Sequence, residues 1–448
     1  LGQTVGYSAF QEGASDGWAV DWVESTVVTL SQDTKVDMTL ETLFTGNAYG
    51  FEIQVKDDGD TKVDAGSVAV SVDGIAVETN VNQADGVTVI TGQNPTLLPQ
   101  ETAHTVSLTL DAGGTTQSKD FVFNVDVYTL LPADSRVPAI KEGESKRGLM
   151  VGVTQISSST TELSSVHENI AELAEKQLAG KILDPAYEGE EVPYLNEAHE
   201  DAEEEFVLVY EVADLINWFE QAPGESGHFR AGLGYEDKVF PLLPGWGGMH
   251  NGVVIEINAW LELEPGSYKI GMHSEGGWKV NAGFKPDDPV IGIYDNSKML
   301  PGDDNVLGTD DDVPLEQVPT YYARDQYVNF VAVEPGLYPV RFLWFQSSHR
   351  KEPGMTLELY SVKDRAKHLL NDTKDPKAIK AYYEIVEAEL KVPSISIRRE
   401  GGNVVVEWVG ILQAAGNVNG PWSDVADDGS SPMTLTPDQA RQFGRAVR

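Results

Sequence analysis

The chain contains no cysteine. That excludes disulfides, thiolate nucleophiles and cysteine-ligated zinc. Basic residues are scarce, 32 Lys plus Arg against 71 Asp plus Glu, and the formal charge is −39. Such a surface repels phosphate backbones and anionic lipid, so no nucleic-acid partner is expected. No apolar run reaches the roughly 18–20 residues that a spanning helix needs, so no membrane insertion is expected either. Glycine-rich phosphate loops are also missing, because no strand runs into GxxxxGK or into a GxGxxG that opens a helix. What is present suffices for folding. At 41% hydrophobic over 448 residues, the chain can bury two to four cores of roughly 100–200 residues each. It opens at Leu1 rather than Met, the expectation for a secreted, extracellular or cell-surface protein whose leader has been removed.

Periodicity organises the chain into β-modules. In residues 1–23, Val5 and Tyr7 alternate with polar or small residues, as do Trp18, Val20 and Trp22, the period of a half-buried strand. Such a strand either packs on its own domain or completes a neighbouring subunit's sheet. Residues 24–130 carry about seven short strands separated by Gly-rich turns, which suggests an immunoglobulin-like sandwich. Within them Val68, Val70 and Val72 lead through Asp73-Gly74 into Ile75–Val77, a hairpin signature. Residues 131–205 read as a helix-containing linker or extension. A capping box at Ser165–Glu168 precedes Val166, Ile170, Leu173 and Leu178 at near-helical spacing, and the run Glu197 to Glu205 is a solvated acidic stretch. Strands return over 206–370. A helix is predicted over 371–392, with Asp375 as N-cap, Pro376 as first residue and Ala378, Tyr382, Ile385 and Leu390 on its apolar face. Residues 393–448 read as a small β-module. The fold class is therefore mainly β, tandem β-sandwiches with one or two isolated helices.

Several strings carry resemblances. Pro265-Gly266-Ser267-Tyr268-Lys269-Ile270, then Ser274–Val280, then Gly336-Leu337-Tyr338-Pro339-Val340-Arg341 before Leu357–Tyr360 resemble the PA14-type β-sandwich over roughly 210–362. Ser67–Val77, Leu97-Leu98-Pro99 and His104–Leu110 look like the Ig-like modules of large secreted bacterial proteins. Val406-Glu407-Trp408, Leu412–Ala415 and Val418–Trp422 look like a small C-terminal module of the same class. The PA14 resemblance implies possible sugar binding, with glycans as partners. In sugar-binding members adjacent aspartates hold calcium against the sugar. This chain has Glu275-Gly276 there, which keeps one carboxylate and loses the pair. Glu275 and Trp278 are the candidate carbohydrate-binding residues, and Trp246, Trp260 and Trp344 are further rings that either stack on sugar or fill a core.

Catalytic constellations are hard to find. Gly224-Glu225-Ser226-Gly227-His228 approaches a nucleophile elbow but has His where the second Gly belongs, so it reads as a loop turn. His167-Glu168 is not followed by the second His of a zincin, since Ala171 stands there. The eight histidines are scattered, with no pair at ligand spacing on one helix. The most concentrated candidate is a metal loop, Asp303-Asp304-Asn305 with Asp310-Asp311-Asp312. Its hard oxygen ligands suit calcium, which takes six to eight oxygens, or else it is a solvated acidic loop. These features support a non-enzymatic extracellular structural protein, the subunit of a filament, sheath or surface layer that self-associates into a homopolymer through Val5, Tyr7, Trp18, Val20 and Trp22. The alternative is a carbohydrate-binding or adhesion protein using the PA14-like domain.

Overall fold

The protein's structure, a computed structural model, describes residues 36–59, 61–156, 170–184, 186–187, 189–198, 207–212, 214–220, 227–243, 252–274, 276–294, 299–300, 313–314, 323–346, 355–388, 394–418, 420–425, 431–435 and 443–447. The fold is mainly β and distributes its strands over several sheets.

The first nine strands are β1 (Val36–Asp37), β2 (Thr42–Gly46), β3 (Gly50–Lys56), β4 (Ala69–Val72), β5 (Ile75–Val77), β6 (Thr79–Ala84), β7 (Val87–Gln93), β8 (Ala103–Ala112) and β9 (Thr115–Asn124). They form one sheet in the order β1-β9-β8-β4-β5 and another in the order β2-β3-β7-β6. Alternation decides which side chains meet. Val106, Leu108 and Leu110 of β8 share one core with Ile53 and Val55 of β3 and Ile90 of β7, because every second residue of a strand faces the same way. Asp73 and Gly74 join β4 to β5 with φ of 49° and 81°. Both are positive, as a two-residue type I′ hairpin requires.

The second sandwich uses β10 (Thr129–Leu130), β11 (Lys146–Arg147), β12 (Leu149–Gln155), β13 (Leu208–Val212), β14 (Asn217–Phe219), β15 (Val253–Leu263), β16 (Gly266–Ser274), β17 (Gly277–Asn281) and β18 (Val290–Tyr294). After the short pair β19 (Met299–Leu300) and β20 (Val313–Pro314) come β21 (Arg324–Ala332), β22 (Gly336–Gln346), β23 (Thr356–Lys363), β24 (Ala366–Leu369) and β25 (Ala381–Glu384). One sheet runs β10-β21-β16-β23-β14, with β24 on β23. The other runs β11-β25-β15-β22-β17-β18, with β12 joining β15 and β13. Ile255 and Ile257 of β15, Phe342 and Trp344 of β22, Ile270 and Met272 of β16 and Leu357 and Leu359 of β23 fill the core between them.

All of β22 is buried, so both its faces are covered. Tyr338, Val340, Phe342 and Trp344 point into the sandwich core. On the opposite face Leu343 and Phe345, with Val254 of β15, pack against Ala171, Leu173 and Ala174 of helix α1 (Ile170–Leu178). Leu173 and Leu178 of the stripe that suggests a helix in the sequence dock on the sheet, while Val166 and the capping box Ser165–Glu168 lie outside the described residues.

The helix predicted over 371–392 does not form among its described residues. Asp375 caps a turn instead, its Oδ1 accepting from the Lys377 N–H and its carbonyl from the Ala378 N–H. The chain then enters β25, where Ala381 and Tyr382 pair with Leu261 and Trp260. Ala381 is buried in the core of the sandwich. Local helix propensity has lost to an available sheet edge, since propensity is a weak prior beside tertiary burial.

Residues 139–141 and 386–448 form a separate compact unit. Its strands are β26 (Ser394–Glu400), β27 (Asn403–Val409), β28 (Ile411–Ala415), β29 (Ser423–Asp424), β30 (Met433–Leu435) and β31 (Phe443–Val447). They form two three-stranded sheets, β26-β27-β30 and β29-β28-β31. Among the described residues of the chain no helix is long and apolar enough to cross a membrane.

Candidate functional site

Strand register assembles the site. His273 of β16 lies opposite Asp325 of β21 on one side and opposite Glu358 of β23 on the other. Residues opposite one another across a sheet share a face. Met272, the residue before His273, points into the sandwich core, so the row His273, Asp325 and Glu358 lies on the sheet's outer face. The next row on that face is Tyr327, Gly271 and Tyr360. Gly271 is required there, because a Cβ would sit 2.4 Å from the Tyr360 ring.

The segment following Gly227 covers this face. Phe229 packs on Tyr360 and edge-on against Tyr235, with ring centroids 6.0 and 5.0 Å apart. Glu358 Oε1 holds the segment down by accepting the backbone N–H groups of His228 at 2.8 Å and Phe229 at 3.0 Å. Asn217 Nδ2 donates to the Phe229 carbonyl at 2.7 Å. The chain enters this contact through Gly227 in a left-handed conformation, φ +67°, where a Cβ would lie 1.9 Å from Glu358 Oε1.

Asp325 is the hub. Its Oδ1 accepts from His228 Nε2 at 2.8 Å, His273 Nδ1 at 3.0 Å and the Tyr360 hydroxyl at 2.6 Å. Its Oδ2 accepts from Lys367 Nζ at 2.5 Å. Burial alone would raise this carboxyl, but the hydrogen bonds from His228 and His273 outweigh it and hold Asp325 far below the usual carboxylate range. Burial pushes the carboxyl of Glu358 up. The Tyr360 hydroxyl is also pushed well up, by burial first and by the Asp325 charge second. An ionised carboxylate only accepts, so a ring nitrogen bonded to Asp325 is the donor in that contact. Lys367 Nζ also lies 3.0 Å from His228 Nε2, so His228, Lys367 and Asp325 form one hydrogen-bonded cluster.

The arrangement is open to solvent on one side. The His228 and His273 side chains are 23% and 13% exposed. Ligand-capable atoms of His228, His273 and Glu358 all lie within 4.8 Å of one another. Glu358 itself is 1% exposed, and its Oε2 has no hydrogen-bond partner. Lys269 Nζ lies over the Tyr327 ring, 4.4 Å from its centroid, so an aromatic face and an ammonium border the charged row.

None of the site residues singled out from the sequence belongs to this described cluster. Asp303, Asp304, Asn305, Asp310, Asp311 and Asp312 fall outside the described residues, as do Glu275, Trp246 and the segment with Val5, Tyr7, Trp18, Val20 and Trp22. Trp278 is described and corrects its candidate role. It is 1% exposed within the sandwich core, so its ring offers no face for a sugar to stack on. Trp344 shares that core, and Trp260 packs edge-on against Phe284. The sequence reading treats the histidines as scattered, yet the sheet brings His228 and His273 to a ring separation of 4.5 Å. Two others have structural roles: His104 bonds Asp73 and His368 bonds Asp375.

No protein-family model and no curated protein matches the chain. Among solved structures the chain is similar to the epithelial adhesin 9 A domain from Candida glabrata in complex with Galβ1-3GlcNAc. The identity is 9%, over 59% of this chain and 99% of that one, with a TM-score of 0.30. It is similar also to a subtype-switched epithelial adhesin 9 to 1 A domain from Candida glabrata in complex with β-lactose, at 10% identity, 58% and 94% coverage and a TM-score of 0.26. A third, an anti-sigma factor domain-containing protein, gives 10% identity, 71% and 82% coverage and a TM-score of 0.23. Overlaps of this size leave the function to the chain's own geometry.

Proposed function

We propose that the chain is a non-enzymatic extracellular or cell-surface binding protein that recognises carbohydrate on the outer face of its second sandwich. One observation carries the reading. His228, His273 and Lys367, all partly exposed, are arranged about a single carboxylate beside the half-buried Tyr327. Sugar recognition needs fixed polar groups to bond hydroxyls and a flat apolar face for the ring's C–H side. Three of the polar groups sit on strands or their edge rather than on loops, so their positions are fixed before a ligand arrives. The PA14-like strings of the sequence belong to this same sandwich.

The test is a glycan array probed with the full chain. Binding to a defined set of glycans, weakened by Tyr327→Ala and by Lys269→Ala, is the expected result. A blank array with folded protein would overturn the reading. The assembly reading rests on residues 5–22, outside the described residues, and no structural observation adds to it.

A further inference from the structure

We propose that His228, His273 and Glu358 bind a divalent transition-metal ion of the zinc type, whether or not a sugar is the protein's ligand. The donor set is two imidazole nitrogens and one carboxylate oxygen, all within 4.8 Å of one another. Zinc takes such sets, commonly with three protein ligands and a fourth position for water or substrate. Calcium and magnesium prefer oxygen throughout, so the two imidazoles select against them.

The surroundings are those of a metal site in their details. Each imidazole has one nitrogen against Asp325, Nε2 of His228 and Nδ1 of His273. A carboxylate bonded behind the ligating histidine is the usual means of orienting such ligands. Here one carboxylate orients both. Glu358 is held in the same way: its Oε1 is pinned by two backbone N–H groups. Its Oε2 is buried with no partner, a costly state for a carboxylate oxygen. A cation held by the three side chains would give that buried carboxylate a partner.

Charge agrees with this. Lys367 bonds Asp325, so its ammonium is offset by that carboxylate and does not stand unpaired against an entering cation. Rigidity agrees as well. His273 and Glu358 are register partners on adjacent strands, and His228 is tied through its own backbone to Glu358. Little has to be ordered when the ion enters.

The experiment is a calorimetric titration of chelator-treated full chain with Zn²⁺, in an excess of Ca²⁺ to saturate the acidic surface. Saturable uptake of one ion per chain is expected, lost in His273→Ala and weakened about 10–100-fold in Asp325→Asn, the cost usual for an orienting partner. Absence of a saturable site, or the same site in wild type and His273→Ala, would overturn the proposal. Should the variants fold poorly, Co²⁺ added to wild-type protein decides it. Intense tetrahedral-type visible bands that Zn²⁺ abolishes would sustain the site, and their absence would remove it. Glycan binding does not enter any of these readouts, so the two proposals stand or fall separately.

Discussion

The guanidinium of Arg341 on β22 meets both carboxylate oxygens of Glu175 on α1, at 2.8 and 2.7 Å. Its Nε donates to Glu256 of β15 at 2.5 Å, and Lys279 of β17 donates to Glu175 at 3.0 Å. Arg341 is 1% exposed. A helix laid on a sheet is thereby locked by a buried charge cluster in addition to its apolar contacts.

Breaking that lock is the first prediction. Glu175→Ala removes the bidentate partner and leaves Arg341 buried with Glu256 as its remaining carboxylate. Losing one partner of a buried pair costs about 3–5 kcal/mol. The figure belongs toward the low end here, because Glu256 still compensates. The urea midpoint of unfolding should fall accordingly. An unchanged midpoint would mean that α1 docks through Ala171, Leu173 and Ala174 alone.

The same pair makes stability depend on acid. Burial acts to raise the Glu175 carboxyl, but the hydrogen bonds and charges of Arg341 and Lys279 bring it below the ordinary range. A carboxyl lowered by folding stabilises fully above its unfolded value, about 4.3 for Glu, and loses that contribution as pH falls through the folded value. Wild type should therefore exceed Glu175→Gln in stability at neutral pH, and the gap should close below about pH 4. A gap that stays constant into acid would refute the charge account.

Gly227 offers a sharper steric test, because a control exists in the same chain. Gly86 also has a positive φ, +76°, but nothing lies within 4 Å of its missing Cβ. Gly86→Ala should cost about 1–2 kcal/mol, the backbone penalty alone. Gly227→Ala must add the clash with Glu358 Oε1, and overpacking of this kind costs about 1–3 kcal/mol more. The two melting temperatures, compared directly, check this. Equal losses would show that Glu358 yields freely to the intruding methyl.

The sandwiches were legible in the sequence because strand alternation is a local signal. Val106, Leu108 and Leu110 show it, and Asp73-Gly74 names its turn outright. The segment after Asp375 was misread for the converse reason: Ala378, Tyr382 and Ile385 fit a helical stripe, and only the edge of β15 decides for a strand. The site had almost no local signal. His228, His273, Asp325 and Glu358 come from four separate segments, and only the register of β16, β21 and β23 puts three of them in one row. The one trace was Gly227 before His228, a glycine whose positive φ is needed to bring that histidine over the sheet.

The chain holds two different donor chemistries, and metal-dependent melting can separate them. Asp303, Asp304, Asn305 and Asp310–Asp312 offer side-chain oxygens only, the preference of calcium, whereas His228 and His273 offer nitrogen. An ion that binds the native state alone raises the melting temperature by simple linkage. Ca²⁺ should therefore raise it in wild type and in His273→Ala, and have no effect once Asp310 and Asp312 are both replaced by Asn. Zn²⁺ should show the reverse pattern, protecting the Asp310→Asn, Asp312→Asn protein and failing on His273→Ala. If both ions respond to the aspartate changes and neither to His273→Ala, the acidic run is the chain's metal site and the imidazole pair serves only the hydrogen-bond network around Asp325.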